Sequence, residues 1–322
     1  MKKRLFITGP VHDDVVEAAS ERYEVQLAYG PDAVPLADAL PTMDAFLMRG
    51  DLLDRAAIAR APRLQIVARH GVGVNNVDVE AATEAGIWVT NTPGQNSTAV
   101  AEHAFALLLA LARQVTQAVS AVTDGEWSTA KARLVGVELR GKTLGLIGFG
   151  DIARRVAPIA QGFGMHVIAY DPFVPPQVMG EHEVSAAQLE DLLAASDVVS
   201  LHLPLNEQTN GLLDARRLGL ASDRGLYVVN TARGGLVDLD ALLDGLDAGL
   251  VRGAALDVLP EEPPPASHPI LTHERVVVTP HAAWYSQQAA ADLRRLTAEN
   301  VVTLHRTGRP RTAVNDPSGH QR

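Results

Sequence analysis

Three polar stretches late in the chain each follow an apolar run of strand length. Asn230-Thr231-Ala232-Arg233-Gly234-Gly235 sets an arginine in a glycine-flanked loop. Asp257-Val258-Leu259-Pro260-Glu261-Glu262 sets acids behind the next run, and Thr279-Pro280-His281-Ala282-Ala283-Trp284 sets a histidine behind the last. Histidine is the side chain poised to exchange a proton near neutral pH. A neighbouring carboxylate orients the ring and favours its protonated form. Arginine grips a carboxylate through two parallel hydrogen bonds and polarises a nearby oxygen. The set suits acid–base chemistry on a small anion. Each signal alone is weak. An arginine in a glycine loop is more often a solvated charge, and the run from Glu261 through Pro265 reads equally well as a surface turn. Among 11 histidines, His70 and His103 are rivals, and His268 in His-Pro-Ile reads as a turn residue. Their shared placement at strand carboxyl ends lifts the three above their separate weights.

The elements that must position them read as a parallel α/β scaffold, because strand-length apolar runs alternate with helical spacing. Strands are expected at 5–8, 24–27, 45–48, 64–68 and 86–90, then from Thr143, and at 198–201, 226–229, 254–256 and 276–278. Helical spacing covers 11–21, 53–61, 98–122 and 289–307. The segment 98–122 is apolar on so many sides that burial between domains or subunits is expected. Four strands end in His202, Asn230-Thr231, Asp257 and Thr279. Ligands of open parallel sheets lie off carboxyl ends, so these four are expected to converge.

The strongest motif starts at Thr143. A strand-length run leads into Gly148-Phe149-Gly150-Asp151-Ile152-Ala153, a helix-length segment follows, and a second apolar run ends on Asp171. This is a βαβ unit with a G-x-G-x-x-A turn and an acid about 20 residues on. Gly148 allows the tight turn, Gly150 lets backbone approach a pyrophosphate, and Ala153 keeps the helix near the sheet. The helix start offers N–H groups and partial positive charge to phosphates. Asp171 would accept from a ribose 2′-hydroxyl and repel a 2′-phosphate. Pro172 and Phe173 follow it, so no arginine is adjacent, and NAD is favoured over NADP. The loop Arg69-His70-Gly71-Val72-Gly73-Val74-Asn75-Asn76 is a second candidate anion nest.

With 322 residues, about two domains are expected. The net charge of −10 argues against a nucleic-acid or anionic-membrane partner. There is no cysteine, which excludes disulfides and thiolate catalysis. The basic start Met1-Lys2-Lys3-Arg4 precedes too short an apolar run for a signal peptide, and the longest fully apolar run, 104–112, is too short to span a bilayer. A cytoplasmic location is expected.

Taken in order, these motifs resemble the D-isomer-specific 2-hydroxyacid dehydrogenase family over nearly the whole chain. The resemblance implies two Rossmann- or flavodoxin-like doubly wound parallel-sheet domains with a cleft between them. Residues 1–97 plus 283–322 would form the flavodoxin-like substrate-binding domain, and 98–282 the NAD-binding Rossmann domain. It makes Arg233 the carboxylate-binding arginine, His281 the catalytic histidine and Glu262, five residues after Asp257, its acid. Gly148, Gly150, Asp151, Ile152 and Asp171 would hold NAD. So would Leu203, Pro204 and Thr209, and also Thr231, Ala232, Arg233, Asp257 and His281, with Asp257 on the nicotinamide amide. Val72, Gly73, Arg233, His281 and Trp284 would meet the substrate, and no metal is expected. Usual family substrates are phosphoglycerate, hydroxypyruvate and glyoxylate, and the family implies a homodimer. The run from His281 to Ser286 departs from the commoner glycine-rich form. It is similar to the C-terminal-binding proteins, so an NAD(H)-sensing oligomeric binding protein is the alternative. Formate dehydrogenases also resemble this chain but carry Gln where Glu262 stands.

Overall fold

The computed structural model describes residues 2–11, 13–221 and 225–320. Met1, His12, residues 222–224, Gln321 and Arg322 lie outside it, and with them part of the expected 11–21 helix and both ends of the expected first domain. The chain divides into two compact units, Met1–Asn96 with Gln287–Arg322, and Ser97–Ser286. The expected boundaries were 97/98 and 282/283.

The first unit alternates β1 (Lys3–Ile7), α1 (Asp13–Ser20), β2 (Tyr23–Leu27), α2 (Leu36–Ala39), β3 (Ala45–Met48), α3 (Arg55–Ala59), β4 (Ile66–Arg69), α4 (Val79–Glu84) and β5 (Trp88–Thr90). The second runs through α5 (Ser97–Ala112), α6 (Val115–Thr123), β6 (Thr143–Ile147), α7 (Ala153–Gly162), β7 (His166–Tyr170), α8 (Pro176–Gly180) and β8 (Ser185–Ala186). It continues with α9 (Leu189–Ala195), β9 (Val198–Leu201), α10 (Ala215–Leu218), β10 (Leu226–Asn230), α11 (Leu239–Asp247), β11 (Val251–Leu256) and β12 (Val276–Val278). The last helix, α12 (Gln287–Thr307), returns to the first unit.

Both sheets are parallel. The first has order β2-β1-β3-β4-β5, the flavodoxin order. Phe6, Phe46 and Val67 pack on one face, and Leu5, Leu47 and Ile66 pack on the other against Val301 and Leu304 of α12. Alternate residues of each strand therefore feed opposite cores, as the two-residue repeat requires. The second sheet has order β12-β11-β10-β9-β6-β7-β8. Its chain direction of travel reverses between β6 and β9, which is where doubly wound sheets open their ligand crevice. Beyond α12, Val314 donates to the Val89 carbonyl (2.8 Å) and the Asn315 side chain accepts from Val89 N–H (2.7 Å), so the tail caps the β5 edge.

The segment expected as one helix over 98–122 is two helices bent by 62°. The break has a long-range cause. The Ala112 carbonyl accepts from Val137 N–H (2.7 Å), and the Gln114 side chain donates to the Val135 carbonyl (3.0 Å). The crossing segment takes over hydrogen bonds the helix would need, and Gln114 turns left-handed (φ 51°). Among the described residues, no single helix is long and apolar enough to cross a membrane.

Candidate active site

The glycine turn leaves β6 beside the end of β9. Gly148 has φ 93°, and a Cβ there would lie 2.6 Å from the His202 carbonyl oxygen, so both conformation and space require glycine. A Cβ at Gly150 would meet nothing within 4 Å, so the backbone stays open to a ligand on that side. Ala153 is fully buried where α7 meets the sheet. Asp171, at the end of β7, accepts from Phe149 N–H (2.8 Å) and Phe173 N–H (2.9 Å). The acid thus holds the turn from behind. Asp151 and Ile152 lie in the turn ahead of α7.

Leu203, Pro204 and Thr209 share the loop after β9. Thr209 Oγ1 donates to the Pro204 carbonyl (2.8 Å) and accepts from Asn206 N–H (2.8 Å), which closes that loop on itself. His202 is held to a pKa of about 4 by burial and contacts Ser200 (2.9 Å), so it is neutral and local. Next along the sheet, Asn230 at the end of β10 donates to the Arg233 carbonyl (2.9 Å) and accepts from Ala232 N–H (3.0 Å). Thr231 Oγ1 is buried with no partner. A buried orphan hydroxyl is costly unless a ligand completes it. With the open backbone at Gly150, it fits the nicotinamide dinucleotide the turn implies.

Arg233 feels the charge of Glu262 because two loops pack backbone to backbone. A Cβ on Gly234 would lie 1.9 Å from the Leu259 carbonyl carbon, so only glycine admits this approach. Burial pushes the Arg233 guanidinium below its ordinary pKa and Glu262 opposes that. Arginine nonetheless stays cationic. Leu259 N–H donates to Glu262 Oε1 (3.0 Å), and Glu262 Oε2 lies 2.7 Å from His281 Nδ1. Burial alone raises the Glu262 pKa. The hydrogen bonds from His281 and Leu259, with the charges of His281 and Arg233, outweigh it, and the carboxyl ends below its usual value. Glu262 is therefore an ionised acceptor at neutral pH. His281 Nδ1 must then carry the proton in that bond, which leaves Nε2 as the free lone pair of the neutral ring.

His281 itself is left-handed (φ 51°), a strained setting for a side chain with a Cβ. The strain is held by Asp257 at the end of β11. Its backbone carbonyl accepts from His281 N–H (2.8 Å), and its carboxylate accepts from Ala282 N–H (2.8 Å), Ala283 N–H (2.9 Å) and the Thr279 hydroxyl. His103 of α5 approaches both Thr279 Oγ1 (3.2 Å) and Asp257 Oδ1 (3.6 Å). Sequence reasoning gave Asp257 a cofactor contact, Thr279 a strand end and His103 the place of a rival base, and it did not join the three. A hydroxyl residue two positions before a loop histidine was the available clue. The rivals sort themselves. His103 supports the loop, and His268 caps a short turn by accepting from Ile270 N–H (3.2 Å). His70, in the first unit, is held near pKa 4 by burial and by Arg49 and Arg69.

Arg233, Glu262, Asp257 and His281 thus gather within the second unit, at the ends of neighbouring strands. Trp284 follows in the same loop, half-buried, its ring 4.8 Å from Tyr285. Val72 and Gly73 belong to the first unit, after β4, where Asn91 donates to the Val72 carbonyl (2.8 Å). Among the described residues, no cluster of three or more His, Asp or Glu side chains could hold a metal.

The chain is similar to known proteins over nearly its full length. It is 38% identical to a D-3-phosphoglycerate dehydrogenase of Archaeoglobus fulgidus over 98% of this chain, and spans 60% of that relative's length. It is 38% identical to a glyoxylate reductase of Aeropyrum pernix, covering 98% of this chain and 96% of the relative. The crystal structure of D-lactate dehydrogenase from Aquifex aeolicus, complexed with NAD and lactic acid, superposes with a TM-score of 0.84 at 29% identity, covering 94% of this chain and 96% of that one. Residues 105–283 match the D-isomer specific 2-hydroxyacid dehydrogenase NAD binding domain, and the chain belongs to that family.

Proposed function

We propose that the chain is an NAD-dependent oxidoreductase interconverting a small 2-keto acid and its D-2-hydroxy acid, of the glyoxylate, hydroxypyruvate or phosphoglycerate kind. The observation that carries this reading is the His281–Glu262 pair, with Nδ1 donated to an ionised carboxylate and Nε2 left free. In oxidation, Nε2 takes the hydroxyl proton from C2, and Glu262 stabilises the imidazolium that forms. In reduction, the imidazolium returns that proton to the keto oxygen. Arg233 binds the substrate carboxylate and draws electron density from the adjacent oxygen. NAD(H), when bound, supplies the hydride acceptor or donor. Gly148, Gly150 and Asp171 would hold its adenosine and pyrophosphate side, and Thr231, Ala232 and Asp257 its nicotinamide side. Fixing C2 and the base in one geometry removes much of the entropic barrier. Trp284 would wall the substrate side chain.

The test is an absorbance screen of NADH oxidation over a panel of 2-keto acids. At least one short keto acid is expected to turn over. Saturable NADH binding with no turnover on any of them would instead favour the NAD(H)-sensing binding protein. Retention of Arg233, Glu262 and His281 speaks for the enzyme, since a sensor needs none of their proton chemistry.

The reading includes a homodimer in the cytoplasm. Val115, Val119 and Val122 lie exposed at helical spacing along α6, with exposed Trp127 beyond them. Such a stripe suits a second copy. Sedimentation is expected to give a dimer that Val119→Glu with Val122→Glu converts to monomer. A wild-type monomer at micromolar concentration refutes the assembly.

A further inference from the structure

The first unit carries a concave surface that no step above uses. Between α1 and α12 runs a groove of about 860 Å3, within the roughly 300–1,000 Å3 typical of small-molecule sites. Leu5 and Leu47 form its floor, and Val15, Ala19, Val301 and Val302 its walls. Beside it lies a hollow of about 280 Å3 lined by Lys3, Arg22, Tyr23, Val302, His305 and Arg306. Arg22, Tyr23, Val302 and Arg306 line both, so the two spaces are neighbours that share these side chains.

Three cations and no carboxylate line the hollow, in a chain whose net charge is −10, while Asp44, paired with Arg63, lies close enough to act on Lys3 and His305. Arg22 and Arg306 have no side-chain hydrogen bond or ion pair among the described residues, and Lys3 donates to Gln65 (2.6 Å). His305 Nδ1 lies 2.7 Å from the Tyr23 hydroxyl, while its Nε2 is buried with no partner. With the tyrosine donating to Nδ1, the ring proton sits on Nε2, a buried donor lacking an acceptor. Burial foremost, aided by Lys3 and opposed by Asp44, keeps the ring neutral, and a neutral ring that takes the tyrosine proton at Nδ1 is the tautomer with Nε2–H.

We propose that this surface binds an anionic amphiphile. Its carboxylate would sit among Lys3, Arg22 and Arg306 and accept from His305 Nε2–H, and its apolar body would lie in the α1–α12 groove. Two features select this class. A purely apolar ligand would leave the cations and the His305 donor unpaired, and a small inorganic anion would leave the apolar groove uncovered.

Calorimetric titration of the full chain with hexanoate, octanoate and decanoate tests it, each below its micelle concentration. One saturable site is expected, with affinity rising about fourfold per added methylene. Decanol and inorganic phosphate are expected to bind at least tenfold more weakly. Arg306→Glu should weaken decanoate at least tenfold, and Ala298→Trp, which fills the groove, should abolish binding, with NADH affinity unchanged in both. His281→Ala should leave decanoate affinity as it was, so this site stands or falls apart from the dehydrogenase reading. Unsaturable uptake, no dependence on chain length, an unaffected Arg306→Glu variant or competition with NADH would each overturn the proposal.

Discussion

Replacing His281 with alanine is expected to lower kcat by on the order of 10²–10⁴-fold while NADH still binds, because a positioned general acid–base contributes about that much. The argument rests on local geometry. Only one ring nitrogen is free, since Nδ1 is 2.7 Å from Glu262 Oε2, and Glu262 is held ionised by that contact, by Leu259 N–H and by Arg233. Removing the ring removes the free imidazole nitrogen of this cluster but leaves the glycine turn and Asp171 untouched. Glu262→Gln makes a sharper companion. Glutamine keeps an oxygen that can accept from His281 Nδ1–H, so the ring stays oriented, but the charge that stabilises the imidazolium is gone. Its loss should therefore fall on kcat, and be smaller than that of His281→Ala. Stopped-flow hydride transfer and NADH fluorescence titration separate the two effects. A His281→Ala variant with wild-type turnover would move the base elsewhere.

Much of this scaffold was legible because parallel strands covered on both faces read as unbroken apolar runs. Residues 45–48 are such a run and 198–201 departs from it only at Ser200, and both became strands with every residue buried. The glycine turn was legible for another reason. Its chemistry is local, and Gly148 and Gly150 sit within three residues of the strand that presents them. What escaped was set by contacts remote in sequence. Gln114 carries no helix-breaking chemistry, and only the crossing of Val135 and Val137 ends α5 there. His103 lies 154 positions before Asp257, and no periodicity brings its ring within 3.6 Å of that carboxylate. Asp257 had only the cofactor contact that the resemblance implies, and its hold on the histidine loop showed in no local pattern. It is almost wholly buried, and its oxygens are occupied by three donors from the loop that carries His281. The short β8 strand, Ser185–Ala186, has too few residues to show a pattern.

Gly150→Ala is expected to leave thermal stability nearly unchanged while weakening NADH by about 10–200-fold, the range for one misplaced methyl group in a fitted site. The two glycines of the turn should separate cleanly in this respect. At Gly148 an added Cβ collides with the His202 backbone and the residue is left-handed, so alanine there damages the fold itself. At Gly150 the added methyl meets no protein atom and the backbone is not left-handed, so any loss must come from the ligand side. Asp171→Ala probes the same cradle by charge. The carboxylate both braces Phe149 and Phe173 and repels a 2′-phosphate, so its removal should weaken NADH binding. It should also lower the NADH-over-NADPH ratio of kcat/KM by at least about tenfold, because juxtaposed like charges cost several kcal/mol. Melting curves and dinucleotide titrations of the three variants distinguish the cases. If Gly150→Ala binds NADH as wild type does, the pyrophosphate does not cross this turn, and the assignment of the fingerprint falls with it.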